Sequence, residues 1–189
     1  MNIHDTLSNS FAHDLEDKAR ILRECPYFST GATNYPLTEK QVLFLALVGF
    51  KPVAEALSSH SVETRSGRKS VPDDPAQIRS TLEALGLSFR LAVEAHATIA
   101  TVSLHKAVLD LFESSRNDPT VQGLLFGYPA SAVAAFTTGQ LMRPEDEDAL
   151  LQTTRLSAFA MFRLSQGSSR DELDLLHSWH DTLGRFGLT

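Results

Sequence analysis

Residues 127–131, Gly-Tyr-Pro-Ala-Ser, carry the clearest chemical signal in the sequence. Gly127 can adopt backbone angles that are barred to other residues, and Pro129 suits the first turn of a helix. The hydroxyls of Tyr128 and Ser131 then flank a helix N-terminus, whose free N–H groups attract anions. The pattern predicts a ligand or anion site. The alternative is a tight turn that seats a small-residue helix in the core, since one glycine falls short of a phosphate-binding loop.

Two side chains from the middle of the chain complete the predicted pocket. We expect Arg90 and His96 to line it, where strand ends meet the 127–131 turn. His96, with Glu94 beside it and His105 further on, is also a candidate general acid–base group, because imidazoles titrate near neutral pH. The sequence places no recognisable nucleophile next to them, and a simple polar turn is the alternative.

His177 and His180 lie three residues apart on the last predicted helix, a spacing that allows both imidazoles to reach one metal ion. A third ligand would have to come from His96, His105 or Glu94 through tertiary contact. Zinc proteases space their histidine pair four apart around a glutamate, which this helix lacks. We therefore expect no metal and no other cofactor, and we interpret the two histidines as surface residues.

The composition limits the classes of protein to which the chain can belong. A net charge of −6 argues against dedicated nucleic-acid binding and against attachment to anionic membranes. Cys25 is the single cysteine, which excludes an intramolecular disulfide and a cysteine metal cluster. The longest apolar run, residues 42–50, is far shorter than the roughly 20 residues of a membrane span. Because the N-terminus also lacks a signal-peptide pattern, we expect a cytoplasmic protein.

Helix signals recur along most of the chain. Apolar residues spaced by three and four predict an amphipathic first helix that ends before Pro26. Thr38 with Gln41, and Ser169 with Glu172, match the capping-box pattern. Further helix starts, in which proline accompanies acidic residues, lie at 74–75, 118–119 and 144–147.

Three segments show strand patterns. Residues 88–94 alternate apolar and polar side chains, and residues 98–104 are rich in β-branched side chains. Residues 157–164 are apolar on both faces except at Arg163, which is typical of a central strand. The predicted fold is therefore α+β, mostly helical with a small sheet of about three strands. Since these segments are short, an all-α domain is the alternative.

The domain organisation follows from one break in composition. Residues 58–75 are polar and contain both glycine and proline, so they predict a loop. We expect a single domain over residues 1–189, with a helical part over 1–57, the loop over 58–75 and an α+β part over 76–189.

The segment from Gly127 to Phe136 resembles a mostly archaeal domain family of unknown function. Members of that family carry Gly-Tyr-Pro, any residue and two cysteines, before a helix that ends in phenylalanine. Ser131 and Ala132 stand where the family has its cysteines, so no metal or thiol chemistry carries over. Residues 162–179 are loosely similar as well, and the resemblance implies a fold at most.

Two functions remain open at this point. The first is a small-molecule-binding protein or enzyme with a pocket near the 127–131 turn. The second is a protein-interaction or accessory subunit without catalytic activity, in which the apolar segments 42–50 and 173–186 contact a partner or form a homodimer. Neither function involves nucleic acid or a membrane.

Overall fold

The computed structural model describes residues 3–28, 36–64 and 67–189, with side chains from residue 12 onward. Within these ranges eight α-helices and one 3-10 helix accompany a four-stranded sheet, so the predicted α+β class is confirmed and the all-α alternative is wrong. Helices α1 to α8 span Ile3–Glu24, Glu39–Leu47, Pro75–Ala84, Lys106–Ser114, Pro119–Leu125, Ala130–Thr138, Pro144–Thr154 and Ser169–Arg185. Strands β1 to β4 span Ala54–Thr64, Gly67–Pro72, Ser88–Val93 and Thr98–Ser103. No described helix has both the length and the apolar character that crossing a bilayer requires.

The sheet is antiparallel throughout, with the strand order β2-β1-β4-β3. Residues 54–58 of β1 pair with β4, whereas residues 59–64 pair with β2. The β1–β2 hairpin therefore extends beyond the strands that face the core, and residues 60–64 are exposed. The β3–β4 hairpin confirms the strands predicted over 88–94 and 98–104.

Helix α2 lies at the centre of the main hydrophobic core. It contacts β1, β4, α1 and α8, and all side chains of residues 42–47 are buried. Its first turn carries the predicted capping box, in which the Thr38 hydroxyl accepts the Gln41 N–H at 3.3 Å and Gln41 Oε1 accepts the Thr38 N–H at 2.7 Å. The residues that follow α2 are thereby held beside the core, where they form one wall of the site described below.

Residues 157–164 do not form the predicted strand. They begin with the 3-10 helix Ser157–Phe159 and continue without regular structure. The N–H of Leu164 is donated at 2.7 Å to the buried carboxylate of Glu147, and not to a neighbouring strand. The Glu147 carboxylate thus accepts a hydrogen bond that, in the predicted strand, the carbonyl of a neighbouring strand would accept.

The capping box predicted at Ser169 and Glu172 does not form either. Ser169 lies within α8, and the fully buried Glu172 carboxylate accepts the N–H of Ser165 at 2.7 Å and the hydroxyl of Ser131 at 2.6 Å. Glu172 therefore connects α8 to α6 and to the irregular segment before α8.

The parts predicted around residue 58 are also corrected by the structure. β1 begins at Ala54, inside the predicted helical part over 1–57, and β1 with β2 occupies most of the predicted loop over 58–75. Residues 65 and 66, between β1 and β2 in the sequence, lie outside the described residues. The segment is polar because much of the hairpin faces solvent, while cross-strand pairing satisfies its backbone groups whatever the side chains are.

Replacing Glu172 with alanine should lower the free energy of unfolding by about 3 kcal/mol, because the Ser165 N–H and the Ser131 hydroxyl both lose their acceptor. Asp171, an exposed acidic neighbour in the same helical turn, supplies the control. Its replacement with alanine should cost less than about 1 kcal/mol. Urea denaturation measures both variants, and similar losses would contradict the structural role of Glu172.

Candidate functional site

The turn at residues 126–128 packs directly against the residues that follow α2. Gly127 has φ +77°, and a Cβ placed on it would lie only 2.3 Å from the carbonyl oxygen of Phe50. Nearby, the N–H of Val53 is donated to the carbonyl of Leu125 at 2.8 Å, which joins the same two segments. Only glycine tolerates both the left-handed backbone and the close approach. The glycine of the Gly-Tyr-Pro motif therefore allows this turn to lie on Lys51.

Lys51 is buried beneath the turn, with 2% of its surface exposed. Its Nζ donates to the carbonyl oxygen of Phe126 at 2.8 Å. Nζ also lies 5.3 Å from the ring centroid of Tyr128 and 4.8 Å from that of Trp179, within cation–π range. No described carboxylate pairs with the amine, and burial lowers the pKa of Lys51 from 10.5 to about 8.

Glu39, the first residue of α2, is a second buried ionisable group in this region. It is 5% exposed, and its Oε2 accepts the N–H of Leu57 in β1 at 3.1 Å. Burial raises the pKa of the Glu39 carboxyl from 4.5 to about 7, although the hydrogen bond from Leu57 acts in the opposite direction. Both Glu39 and Lys51 therefore titrate close to neutral pH.

A cavity of about 230 Å³ opens beside both groups. We call it the Lys51 cavity; Lys51, Glu39 and the exposed Glu55 supply its ionisable groups, and Phe126 and Tyr128 are among its apolar and aromatic walls. A buried amine and a buried carboxyl in one cavity can exchange protons with a ligand at neutral pH, and they can hydrogen-bond to it without competition from bulk water. Among the regions of the chain that the structure describes, this combination marks the Lys51 cavity as the candidate functional site.

A second cavity of about 410 Å³ is also lined by residues of the same turn. Its walls are mostly apolar and include Phe126, Tyr128 and Met161, which also line the Lys51 cavity. A larger cavity of about 640 Å³ contains Glu147, but that carboxylate already accepts the N–H of Leu164 and pairs with a guanidinium. Neither cavity brings an amine and a carboxyl with displaced pKa values together.

The structure separates the two hydroxyl residues of the predicted site. Tyr128 lines both the Lys51 cavity and the apolar cavity of about 410 Å³. Ser131, by contrast, donates its hydroxyl to Glu172 and lines neither of these cavities. Its hydrogen bond serves the packing of α6 against α8.

Arg90 and His96 lie on the sheet, outside the Lys51 cavity. The guanidinium of Arg90 pairs with Asp110 at 2.6 Å and with Glu113 at 3.3 Å, both on α4. His96 is exposed in the β3–β4 turn, where its carbonyl accepts the hydroxyl of Ser70 at 3.0 Å. The structure thus does not bring these two residues together with Tyr128.

His177 and His180 are exposed on α8. His180 Nδ1 lies 3.1 Å from Asp181, and its ring contacts the edge of Phe159 with centroids 5.1 Å apart. In the described part of the chain, no group of three or more His, Cys, Asp or Glu side chains could hold a metal ion. The pair therefore lacks the third ligand on which the weaker metal hypothesis depended.

Sequence reasoning missed Lys51 and Glu39, the two groups that give the site its chemistry. Lys51 carries one readable signal, since it directly follows the apolar run 42–50 and is flanked by Phe50 and Pro52. A lysine enclosed by apolar neighbours in the sequence is a candidate for burial. Glu39 carries no such signal, because an acidic residue in a first helical turn is ordinary.

No family model, curated protein or solved structure matches the chain. The resemblance of residues 127–136 to a mostly archaeal domain family therefore stays a prediction. Because no relative supplies a function, the chemistry of the Lys51 cavity is the basis on which a function can be proposed.

Replacing Gly127 with alanine should destabilise the protein by about 2 kcal/mol more than the same change at Gly139. Both glycines have a positive φ, of +77° and +71°, so both variants introduce the same kind of backbone strain. Only at Gly127 does the new methyl group collide with the Phe50 carbonyl, since nothing lies within 4 Å at Gly139. Urea denaturation of the two variants isolates the collision, and equal losses would mean that the turn does not pack tightly on Lys51.

The stability of the protein should pass through a minimum between about pH 7 and pH 8. Because the pKa of Glu39 is raised, the folded protein binds more protons than the unfolded chain between pH 4.5 and about 7, so the free energy of unfolding falls with pH there. Because the pKa of Lys51 is lowered, the folded protein binds fewer protons between about pH 8 and 10.5, so the free energy of unfolding rises there. Each change amounts to on the order of 3 kcal/mol.

Urea denaturation at a series of pH values measures the free energy of unfolding. Two variants test which side chain causes the fall on the acidic side, one limb of this profile, and which causes the rise on the basic side, the other limb. Glu39→Gln keeps an acceptor for the Leu57 N–H and should remove the fall on the acidic side. Lys51→Met should remove the rise on the basic side while filling most of the same volume. A profile that either variant leaves unchanged would contradict the assignment of that limb.

Proposed function

We propose that the protein binds a small polar molecule in the Lys51 cavity. The observation that carries the proposal is a buried amine without a carboxylate partner, which shares its cavity with a buried carboxyl. Burying two ionisable groups without pairing them lowers stability, whereas a ligand that hydrogen-bonds to both can recover that loss. The proposal keeps Tyr128 as a ligand-contacting residue and replaces Ser131, Arg90 and His96 with Lys51 and Glu39.

The size of the cavity limits the ligand. A volume of about 230 Å³ is below the roughly 300–1,000 Å³ that is usual for drug-sized ligands. It corresponds to the space of roughly eight water molecules at about 30 Å³ each. The ligand is therefore a compact metabolite with at least one polar group facing Lys51 and Glu39 and an apolar part against Phe126 and Tyr128. A cytoplasmic location, favoured by the single, buried Cys25, belongs to the same proposal.

A thermal-shift screen should identify ligands that depend on Lys51. The panel comprises aldehydes, ketones, carboxylic acids and amines of two to six carbons. A compound present at 100 times its Kd should stabilise the protein by about 2.7 kcal/mol, which raises Tm by roughly 5–10 °C. Lys51→Met removes the amine and should abolish that shift.

The matched control is His96→Ala, which alters an exposed residue outside the cavity and should leave the shift intact. Compounds that stabilise the wild type and Lys51→Met equally would contradict binding at Lys51. A panel without any stabilising compound would count against the proposal as a whole.

One observation favours the second candidate function, a protein-interaction subunit. Phe136 is 64% exposed and lines the apolar cavity of about 410 Å³, so an apolar surface is available to a partner. The apolar segments 42–50 and 173–186 no longer support this role, because α2 and α8 bury their apolar faces in the protein's own core. Self-association in solution, together with an absence of small-molecule binding, would favour this candidate.

A further inference from the structure

We propose that Lys51 is a nucleophile that forms a Schiff base with an aldehyde or ketone bound in the Lys51 cavity. The inference rests on the proposed function, since it names the chemical class of the ligand and the covalent bond that holds it. Three features support it: the surroundings of the amine, its protonation state and the position of Glu39.

The surroundings of the amine suit attack on a carbonyl carbon. When Lys51 is unprotonated, one N–H can remain bonded to the Phe126 carbonyl, which fixes the direction of Nζ and leaves its lone pair available. The rings of Tyr128 and Trp179 exclude water around the amine. No described carboxylate pairs with Nζ, so no ion pair has to break before the amine reacts.

The protonation state of Lys51 favours reaction near neutral pH. Burial lowers its pKa to about 8, so roughly a tenth of the side chains carry a free amine at pH 7. For a lysine with a pKa of 10.5 the fraction is about three in ten thousand. Enzymes that use Schiff bases activate lysine by the same desolvation.

Glu39 can supply the proton transfers that the reaction needs. The N–H of Leu57 is donated to Oε2, and Oε1 makes no hydrogen bond to another described residue. With a pKa of about 7, the carboxyl is half protonated at neutral pH and can act as acid or base. Glu39 lines the same cavity as Lys51, so a ligand that fills this cavity contacts both residues.

The reaction is balanced by the ligand and these two side chains. Nζ attacks the carbonyl carbon, a C–N bond forms and the C=O double bond becomes single. The protonated Glu39 gives a proton to the carbonyl oxygen and takes one back from the nitrogen, which gives a neutral carbinolamine and leaves Glu39 protonated. The protonated Glu39 then donates a proton to the hydroxyl, the C–O bond breaks and water leaves. The lone pair of the nitrogen forms a double bond to the carbon, which gives a protonated imine. Glu39 is left as the carboxylate. No oxidant, reductant or metal takes part.

The experiment traps the imine with sodium cyanoborohydride in the presence of butanone or pyruvate, one neutral and one anionic ketone. Peptide mapping by mass spectrometry then locates the reduced adduct in the wild-type protein. Labelling at Lys51 should exceed labelling at Lys40 by at least about tenfold, because Lys40 donates to the Cys25 carbonyl and does not line the Lys51 cavity, where the ketone binds. The rate of labelling should pass through a maximum between about pH 7 and pH 8, because the reaction needs the free amine of Lys51 and the protonated carboxyl of Glu39.

Two variants test the roles of the side chains. Lys51→Arg keeps the positive charge but cannot form the imine. The adduct at position 51 should be absent in this variant, and only the background labelling of the other lysines should remain. Glu39→Gln keeps the acceptor for Leu57 and loses the proton donor, so labelling at Lys51 should slow by at least about tenfold. Lys40→Arg is the matched control and should leave labelling at Lys51 unchanged.

The outcomes distinguish this inference from the proposed function. If a ketone raises Tm in a Lys51-dependent way but leaves no adduct on Lys51, the Schiff base is wrong and the binding site stands. If labelling is spread over lysines according to their exposure and no ketone changes Tm, the Schiff base is overturned. If, in addition, no compound of the thermal-shift panel raises Tm, the proposed function is overturned as well. The wild-type peptide map decides the first point even if the Lys51 variant does not fold.

Discussion

The approach of Gly127 to the carbonyl of Phe50 is the contact on which the candidate site depends. It requires a residue without a side chain at a positive φ, and it places the carbonyl of Phe126 at 2.8 Å from Lys51 Nζ. The ring of Tyr128 covers the same amine. Without this contact the amine would be buried with no acceptor, a loss of roughly 1–3 kcal/mol or more for a charged donor. Gly127, the Phe126 carbonyl and the Tyr128 ring therefore form one unit of structure, and together they enclose Lys51.

Buried glutamates organise the remainder of the structure around that unit. Glu39, Glu147 and Glu172 each lie in the first turn of a helix, and each accepts a backbone N–H from a different segment. The helix N-terminus favours the negative charge, and the donated N–H offsets part of the desolvation. Glu147 has a second partner in Arg163, and Glu172 has one in Ser131. Glu39 has a single described donor, so it alone of the three retains an oxygen for a ligand.

Local signals were sufficient for the elements that local interactions stabilise. The β3–β4 hairpin and the Thr38 capping box follow from alternation and from side chains near in sequence, and both are present. The β1–β2 hairpin was missed because its pairing is backbone to backbone and its side chains are polar, as those of a loop are. Residues 157–164 were misassigned because local backbone carbonyls and the buried Glu147 carboxylate, not a neighbouring strand, accept the N–H groups of Phe159, Met161 and Leu164. Of the residues predicted for the site, only Tyr128 lines the Lys51 cavity. Lys51 was missed because its burial arises from a turn that is distant in sequence.

The presence of both Lys51 and Glu39 in one cavity is difficult to explain by packing alone. A leucine or methionine at either position would fill similar space without a desolvation penalty, and well-packed apolar replacements of buried charges are often neutral or stabilising. Mutual attraction does not explain why both groups are buried, because no described carboxylate forms an ion pair with Lys51. Burial alone lowers the pKa of Lys51. The two groups are therefore held in a state in which each is close to losing its charge, next to a space that a ligand can enter. Ionisable groups whose environments displace their pKa values toward neutrality are the usual means by which a protein moves protons at physiological pH. That property, and not the hydroxyls at the helix N-terminus, is what makes the Gly-Tyr-Pro turn part of the candidate site.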